Sequence, residues 1–158
     1  MANNKLIKLR PISAATSTPD AGIGAVQKVT IPVTGLTDGA GIAVDRSQNI
    51  YISDYDNHVI YKYRLGAAAS QIFAGAYGVS GDVDGQYSAA RFNQPGALFC
   101  DRAGRIWVVD VGNAKIRRVD ENGNVFTVAA IPTEQVGDIP GAIVVDDSEN
   151  IFLLDSAT

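Results

Sequence analysis

An all-β fold built from repeated four-stranded units is what this sequence predicts, on three observations. First, the segments "GIAVDRSQNIYISDYDN" (41–57), "ALFCDRAGRIWVVDVGN" (97–113) and "AIVVDDSENIFLLDSAT" (142–158) align without a gap. Each runs from a small residue through an apolar run, an Asp and a polar turn to a second β-rich run and a second Asp. Second, the runs alternate and are rich in β-branched and aromatic residues, while "RSQN", "RAGR" and "ENGN" have the make-up of hairpin turns. Third, no segment repeats with a helical period.

The elements come in order. The first aspartates, Asp45, Asp101 and Asp146, are 56 and 45 residues apart, a period that predicts β-propeller blades of four antiparallel strands. In blade one "GIAVD" is the inner strand, "NIYIS" the second, "HVIYKYR" the third and "SQIFAG" the outer one. Blade two supplies "ALFCD", "RIWVV", "KIRRVD" and "NVFTVAA". Runs such as "IAV" and "IVV", apolar on both faces, suit strands sandwiched between neighbouring blades. The third repeat has an inner and a second strand only. Ahead of blade one, "AVQKVTIPV" (25–33) is a strand without a blade of its own, placed to complete the outer edge of a last blade. Residues 1–24, rich in Ala, Ser, Thr and Pro, read as an extended N-terminal arm, and 25–158 as the propeller portion.

Residues 73–129 carry a set of recurring features: a run of glycines with Asp-Gly, the approach "ARFNQP", a D-x-x-G turn, then D-x-x-N-x-x-I followed by "NGNV". "DYDNHVI" in blade one adds an Asn-His pair. In these motifs residues 36–158 resemble the NHL-repeat β-propellers. The resemblance implies a ring of about six blades. Two full blades, half a third and a spare strand do not close such a ring, and an open edge leaves unpaired N–H and C=O groups. The expected explanation is that the chain is one piece of a longer propeller, followed by a partner protein that supplies strands; pairing between copies is the third.

Repetition separates scaffold from site. His58, the one histidine, follows Asn57, and Asn113 holds the equivalent place ahead of Ala114, so the slot reads as a turn whose Asn bonds its own backbone. Asp45, Asp101 and Asp146 recur once per repeat, as do Asp54, Asp110 and Asp155, and are expected to accept backbone N–H bonds where the inner strand turns. A ring of these carboxylates around a cation is the functional alternative. Tyr51, Trp107 and Phe152 share one slot, expected to be packing between blades. "DVDG" (82–85) fails as a calcium loop, because Arg91 falls where a bidentate Glu is needed, and reads as a link between blades. Cys100, in an apolar strand, is expected to be an inert packing thiol.

Catalytic arrangements are not found in the sequence. One His and one Cys are too few for an ordinary zinc site, and no G-x-S-x-G elbow accompanies His58. No metal or cofactor is expected. The net charge of -4 divides into +3 over residues 1–35 and -7 over the rest, so the main body should repel nucleic acid phosphates. No apolar run is long enough to span a membrane, no secretory signal is read, and a lone cysteine suits a reducing compartment or a particle assembled in one. The functional expectation is a non-catalytic interaction or assembly module within a large complex such as a phage virion or tail appendage. Its partners would be other proteins or further copies. Loop residues that depart from the repeat, Tyr55, Asp56, His58, Lys115 and Arg117, are the candidates for partner contact; Lys5, Lys8 and Arg10 are the candidates for docking of the arm. A metal-dependent propeller hydrolase or lyase is the alternative from another class, and an RNA-binding module of NHL type is the third reading.

Overall fold

The structure, a computed structural model, describes residues 6–11, 26–31, 33–132 and 140–154, with side chains from residue 33 onward. Along the chain the strands are β1 (Leu6–Pro11), β2 (Val26–Ile31), β3 (Gly39–Val44), β4 (Asn49–Asp54), β5 (Val59–Arg64) and β6 (Gln71–Ala74). They continue with β7 (Gly85–Gln86), β8 (Pro95–Cys100), β9 (Ile106–Asp110), β10 (Lys115–Val119), β11 (Asn124–Ala130), β12 (Ala142–Val145) and β13 (Ile151–Leu154). Short 3-10 turns at Tyr87–Ala89 and Val111–Asn113 are the sole helical segments among the described residues.

The sheets are antiparallel meanders. Blade one is β3-β4-β5-β6, blade two is β8-β9-β10-β11, and the third repeat contributes β12-β13. The architecture is that of an incomplete β-propeller, as the repeats predict. Two strands go beyond that expectation. β7 adds to the outer edge of blade two, with Gly85 opposite Val125. β1 stands inside the stretch read as an arm and pairs antiparallel with β2, Leu6 opposite Ile31. The Ala/Ser/Thr/Pro composition of residues 1–24 as a whole masks the short apolar–basic run "LIKLR" within it.

The four hairpins that turn after Asp45, Asp101, Asp120 and Asp146 are built alike. Asp45 Oδ1 accepts from the Asn49 amide at 2.8 Å, and its Oδ2 from Asn49 Nδ2 at 2.7 Å and the Tyr51 hydroxyl at 3.1 Å. Asp101 accepts from the amides of Ala103 and Arg105, from Arg105 Nε at 2.6 Å and from Trp107 Nε1 at 2.9 Å. Asp146 and Asp120 repeat the pattern with Asn150 and Asn124. Each turn needs one left-handed residue: Gln48 (φ 62°), Gly104 (φ 81°), Gly123 (φ 74°) and Glu149 (φ 61°). Two of these positions lack the glycine that such a backbone favours.

The blades pack face to face. The forward face of blade one, with Ala43, Tyr51, Ile60 and Phe73, meets the rear face of blade two, with Leu98, Ile106, Val108 and Val119. The forward face of blade two, with Trp107, Val109 and Ile116, meets Ile143 and Val145 on the rear face of the third repeat. The inner strands run side by side, closely enough that a Cβ on Gly41 would lie 2.4 Å from the Gly96 carbonyl. Ser53 Oγ donates to that same carbonyl at 2.7 Å, a buried bond that ties blade one to blade two. Burial raises the Cys100 thiol, with help from Asp45 and Asp101, to a pKa of about 11, which leaves it protonated and unreactive.

A candidate protein interface at one rim of the blades

The second aspartates do a different job from the first. Asp54, at the end of β4, binds the connector that leads into its own blade: Oδ2 accepts from the Thr37 amide at 3.0 Å and Oδ1 from the Thr37 hydroxyl at 2.9 Å. It also holds the turn after β4 through the Asn57 amide and Nδ2. In blade two Asp110 accepts from the Asn93 amide at 2.8 Å, from Asn113 Nδ2 at 2.8 Å and from Arg117 Nη1 at 2.8 Å. The expectation of a bond where the inner strand turns is therefore corrected for these positions: each second aspartate clamps connector to turn. Asp155 lies outside the described residues. The Asn side chains also act on the aspartate rather than on their own backbone, since Asn57 and Asn113 both donate to the carboxylate three residues earlier.

The two clamps differ electrostatically. Burial opposes the charge of Asp54, but hydrogen bonds from Asn57 and Thr37 outweigh it and hold the carboxyl below its ordinary value. At Asp110 burial prevails over the bonds from Asn93, Asn113 and Arg117, and the carboxyl is raised.

Most of the residues singled out in the sequence meet at this rim. Asp56 is exposed, while Tyr55 and His58 are half-buried. His58 has φ 58° and Ala114 φ 49°, so the shared slot is a left-handed turn residue in both blades. The imidazole Nδ1 of His58 accepts from the Gln94 amide at 3.0 Å, beside the Asn93 amide that binds Asp110. The two turns thus flank one dipeptide, Asn93–Gln94.

Lys115 is half-buried and ion-paired to Asp82. Arg117 is a correction to the surface set. Its side chain is fully buried, paired with Asp110 and with Asp84 at 2.6 Å, and stacked over Phe92, so it is not available to a partner. Asp84 in turn accepts from the amide and hydroxyl of Thr127. The segment "DVDG" is therefore a link pinned to blade two by Lys115, Arg117 and Thr127. Lys8 and Arg10 fall on β1, of which the backbone alone is described, and Lys5 lies outside the described residues.

Sequence reasoning missed three apolar side chains on this rim. Tyr77 (52% exposed), Val79 and Val83 project from the connector between blades one and two. That connector is held against the β4–β5 turn by the Gly78 amide, which donates to the Asn57 carbonyl at 3.0 Å. Their signal was an apolar alternation, "AYGVSGDVDG", inside a glycine-rich link. Exposed apolar groups bordered by a charge such as Asp56 make a surface suited to protein contact. Among the described residues no three His, Cys, Asp or Glu side chains converge as metal ligands.

These features define a β-propeller scaffold whose recurring aspartates, among the described residues, are bonded within their own repeats. No family model matches the chain, and no curated protein matches it in sequence. Solved structures do match in fold. An auxiliary nutrient binding protein from Bacteroides ovatus aligns over 84% of this chain at 18% identity, with a TM-score of 0.63. The nidogen/laminin complex aligns over 83% at 17% identity, with a TM-score of 0.62. An inactive virginiamycin B lyase from Staphylococcus aureus, solved with quinupristin, aligns over 79% at 16% identity, with a TM-score of 0.57. The alignments span 38%, 45% and 37% of those chains, so this chain spans less than half the length of each.

Proposed function

We propose that the chain is a non-catalytic propeller module of NHL type that binds other proteins during assembly of a large complex, such as a virion or tail appendage. The observation that supports this most is the rim where Tyr77 and Val79 stand exposed on a connector bonded to the turn that carries Tyr55 and Asp56, with Val83 exposed further along it. Buried aromatic anchors supply much of the energy of protein interfaces, and a nearby carboxylate selects a basic partner surface. The recurring aspartates support the same reading from the other side. Asp45, Asp54, Asp101 and Asp110 all have their oxygens occupied by donors of their own scaffold, in keeping with a structural role.

The test is quantitative capture of interacting proteins by the wild type and by a Tyr55→Ala/Tyr77→Ala variant from the native source. Loss of the same proteins from the variant, with its thermal unfolding unchanged, is the expected result. An identical set at identical yield would overturn the rim as the contact. The likeness in fold to a streptogramin-type lyase keeps a metal-dependent enzyme as the second reading. It predicts stoichiometric metal in the purified protein, and elemental analysis at background level would remove it.

A further inference from the structure

The described strands, β7 aside, are twelve: two four-stranded blades and two separate two-stranded sheets, β12–β13 and β1–β2. β12 and β13 are the first and second strands of a blade, with the edge of β13 unpaired by any described strand. β1 and β2 form a two-stranded sheet that joins no described blade. Three observations give β1–β2 the place of a third and fourth strand. β2 precedes inner strand β3 as β6, with the two-residue β7 and a 3-10 turn between, precedes inner strand β8. The connectors end in the same clamp: Thr37 after β2 bonds Asp54, and Asn93 after β6 bonds Asp110. Both connectors also lie on the rear face of the blade they enter, Val33 and Leu36 against Ile50 and Ile52 in blade one, Ala90 and Phe92 against Ile106 and Val108 in blade two. The sequence echoes this, since the dipeptide Ile-Pro occurs at 31–32, β2 ending at Ile31, and again at 131–132 after β11.

The exposed end faces are complementary in the same sense. Val144, Phe152 and Leu154 on the forward face of the third repeat are 52%, 59% and 65% exposed. They occupy the positions of Phe99, Trp107 and Val109, which in blade two pack against the next blade. At the other end, Ile42 and Val44 on the rear face of blade one are 52% and 53% exposed, in the positions of Leu98 and Cys100, which pack against the preceding blade. One end of the stack thus offers a forward face and the other a rear face.

We propose that two copies of this chain associate head to tail, each seating its third repeat on the rear face of the partner's blade one and receiving the partner's β1–β2 hairpin along the free edge of β13. The described strands amount to three blades at most, fewer than the about four to eight of a propeller ring, whereas those of two copies make six. The contact is heterologous, and it closes because two identical contacts complete one ring. Hydrogen bonds to the edge of β13 and burial of Phe152 and Leu154 drive it. This inference rests on the propeller fold and not on the rim as a partner site, so the two can fail separately.

Light scattering after size exclusion tests it on the whole chain. The wild type is expected at twice the chain mass of 16.6 kDa. Phe152→Asp and Ile42→Asp alter exposed side chains, so each is expected to leave a folded chain that runs as a monomer. Mixing the two variants is expected to restore part of the dimer, because one of the two contacts in the mixed pair is then wild type on both sides. A monomeric wild type would overturn the proposal, as would a dimer that either variant leaves intact. Species that lengthen with concentration would overturn closure, and no recovery on mixing would overturn the head-to-tail pairing.

Discussion

Trp107 and Phe152 occupy the same position in successive repeats, and one is fully buried while the other is 59% exposed. The difference lies in whether another blade covers the strand pair, not in the residues. Trp107 has a third repeat packed over it and an Asp101 oxygen for its indole N–H. Phe152 has the same strand, the same Asp-anchored hairpin beside it and no described neighbour on its forward face. Local structure in this chain is thus complete within a hairpin, whereas the core on a forward face exists only where a further blade covers it. The same rule explains why Val109 is buried and Leu154 is not.

That comparison can be broken in several ways. The largest effects belong to blade two. Trp107→Ala should lower unfolding stability by about 3–5 kcal/mol, by loss of the transferred surface and the cavity left behind. Arg117→Met should cost a similar ~3–5 kcal/mol, because Asp110 would keep a buried charge with no cation beside it. Both are read from urea unfolding followed by circular dichroism. Phe152→Ala in dilute protein should change stability by no more than about 0.5 kcal/mol, as for an exposed site. A large loss there would mean that the third repeat is covered within one chain.

The two clamps sharpen the contrast through pH. Asp54 has a lowered folded pKa, so its contribution is present above the ordinary carboxyl value and is lost as pH falls through the folded value. The stability gap between wild type and Asp54→Asn should therefore narrow on acidification. Asp110 is raised, so its contribution is complete below the ordinary value and is lost as pH rises through the folded one. The gap between wild type and Asp110→Asn should widen over the same titration. Urea midpoints of the three proteins between about pH 3 and pH 7 check both signs. Gaps that move in parallel would contradict them.

The smallest effect is at the hairpin turns. Gln48→Gly should be neutral to stabilising by up to about 1 kcal/mol, since glycine tolerates φ 62° without a Cβ clash. Gly104→Gln at the matching turn should cost about 1 kcal/mol. Thermal midpoints of the pair read out the difference.

The same division between local and distant contacts governs how much was legible in the sequence. The hairpins, their first aspartates and the aromatic slot could be read because every contact lies within a few residues and recurs; the Asp120 turn has the same D-x-x-G spacing as the Asp101 turn. Arg117 was misread as a surface residue. In "KIRRV" the alternation places it on the same face as buried Val119, but its partner Asp84 lies 33 residues away and nothing local announces the pair. The second aspartates were half legible. Their recurrence marked them as scaffold, but Thr37 and Asn93, each 17 residues away, are reached only once the connector folds back. The exposed Tyr77, Val79 and Val83 were hidden by the glycines around them.

The most direct measurement is hydrogen exchange of the β9 and β13 amides across a dilution series. Strand β9 lies between β8 and β10 in every chain, and its protection should be independent of concentration. Strand β13 has β12 as its one described neighbour, and under the proposed head-to-tail pairing a second copy supplies the other, so its protection should rise with concentration toward that of β9. Protection of β13 that equals β9 at every dilution, or that stays low at every concentration, would contradict a forward face that needs a covering blade and a third blade completed by a second chain.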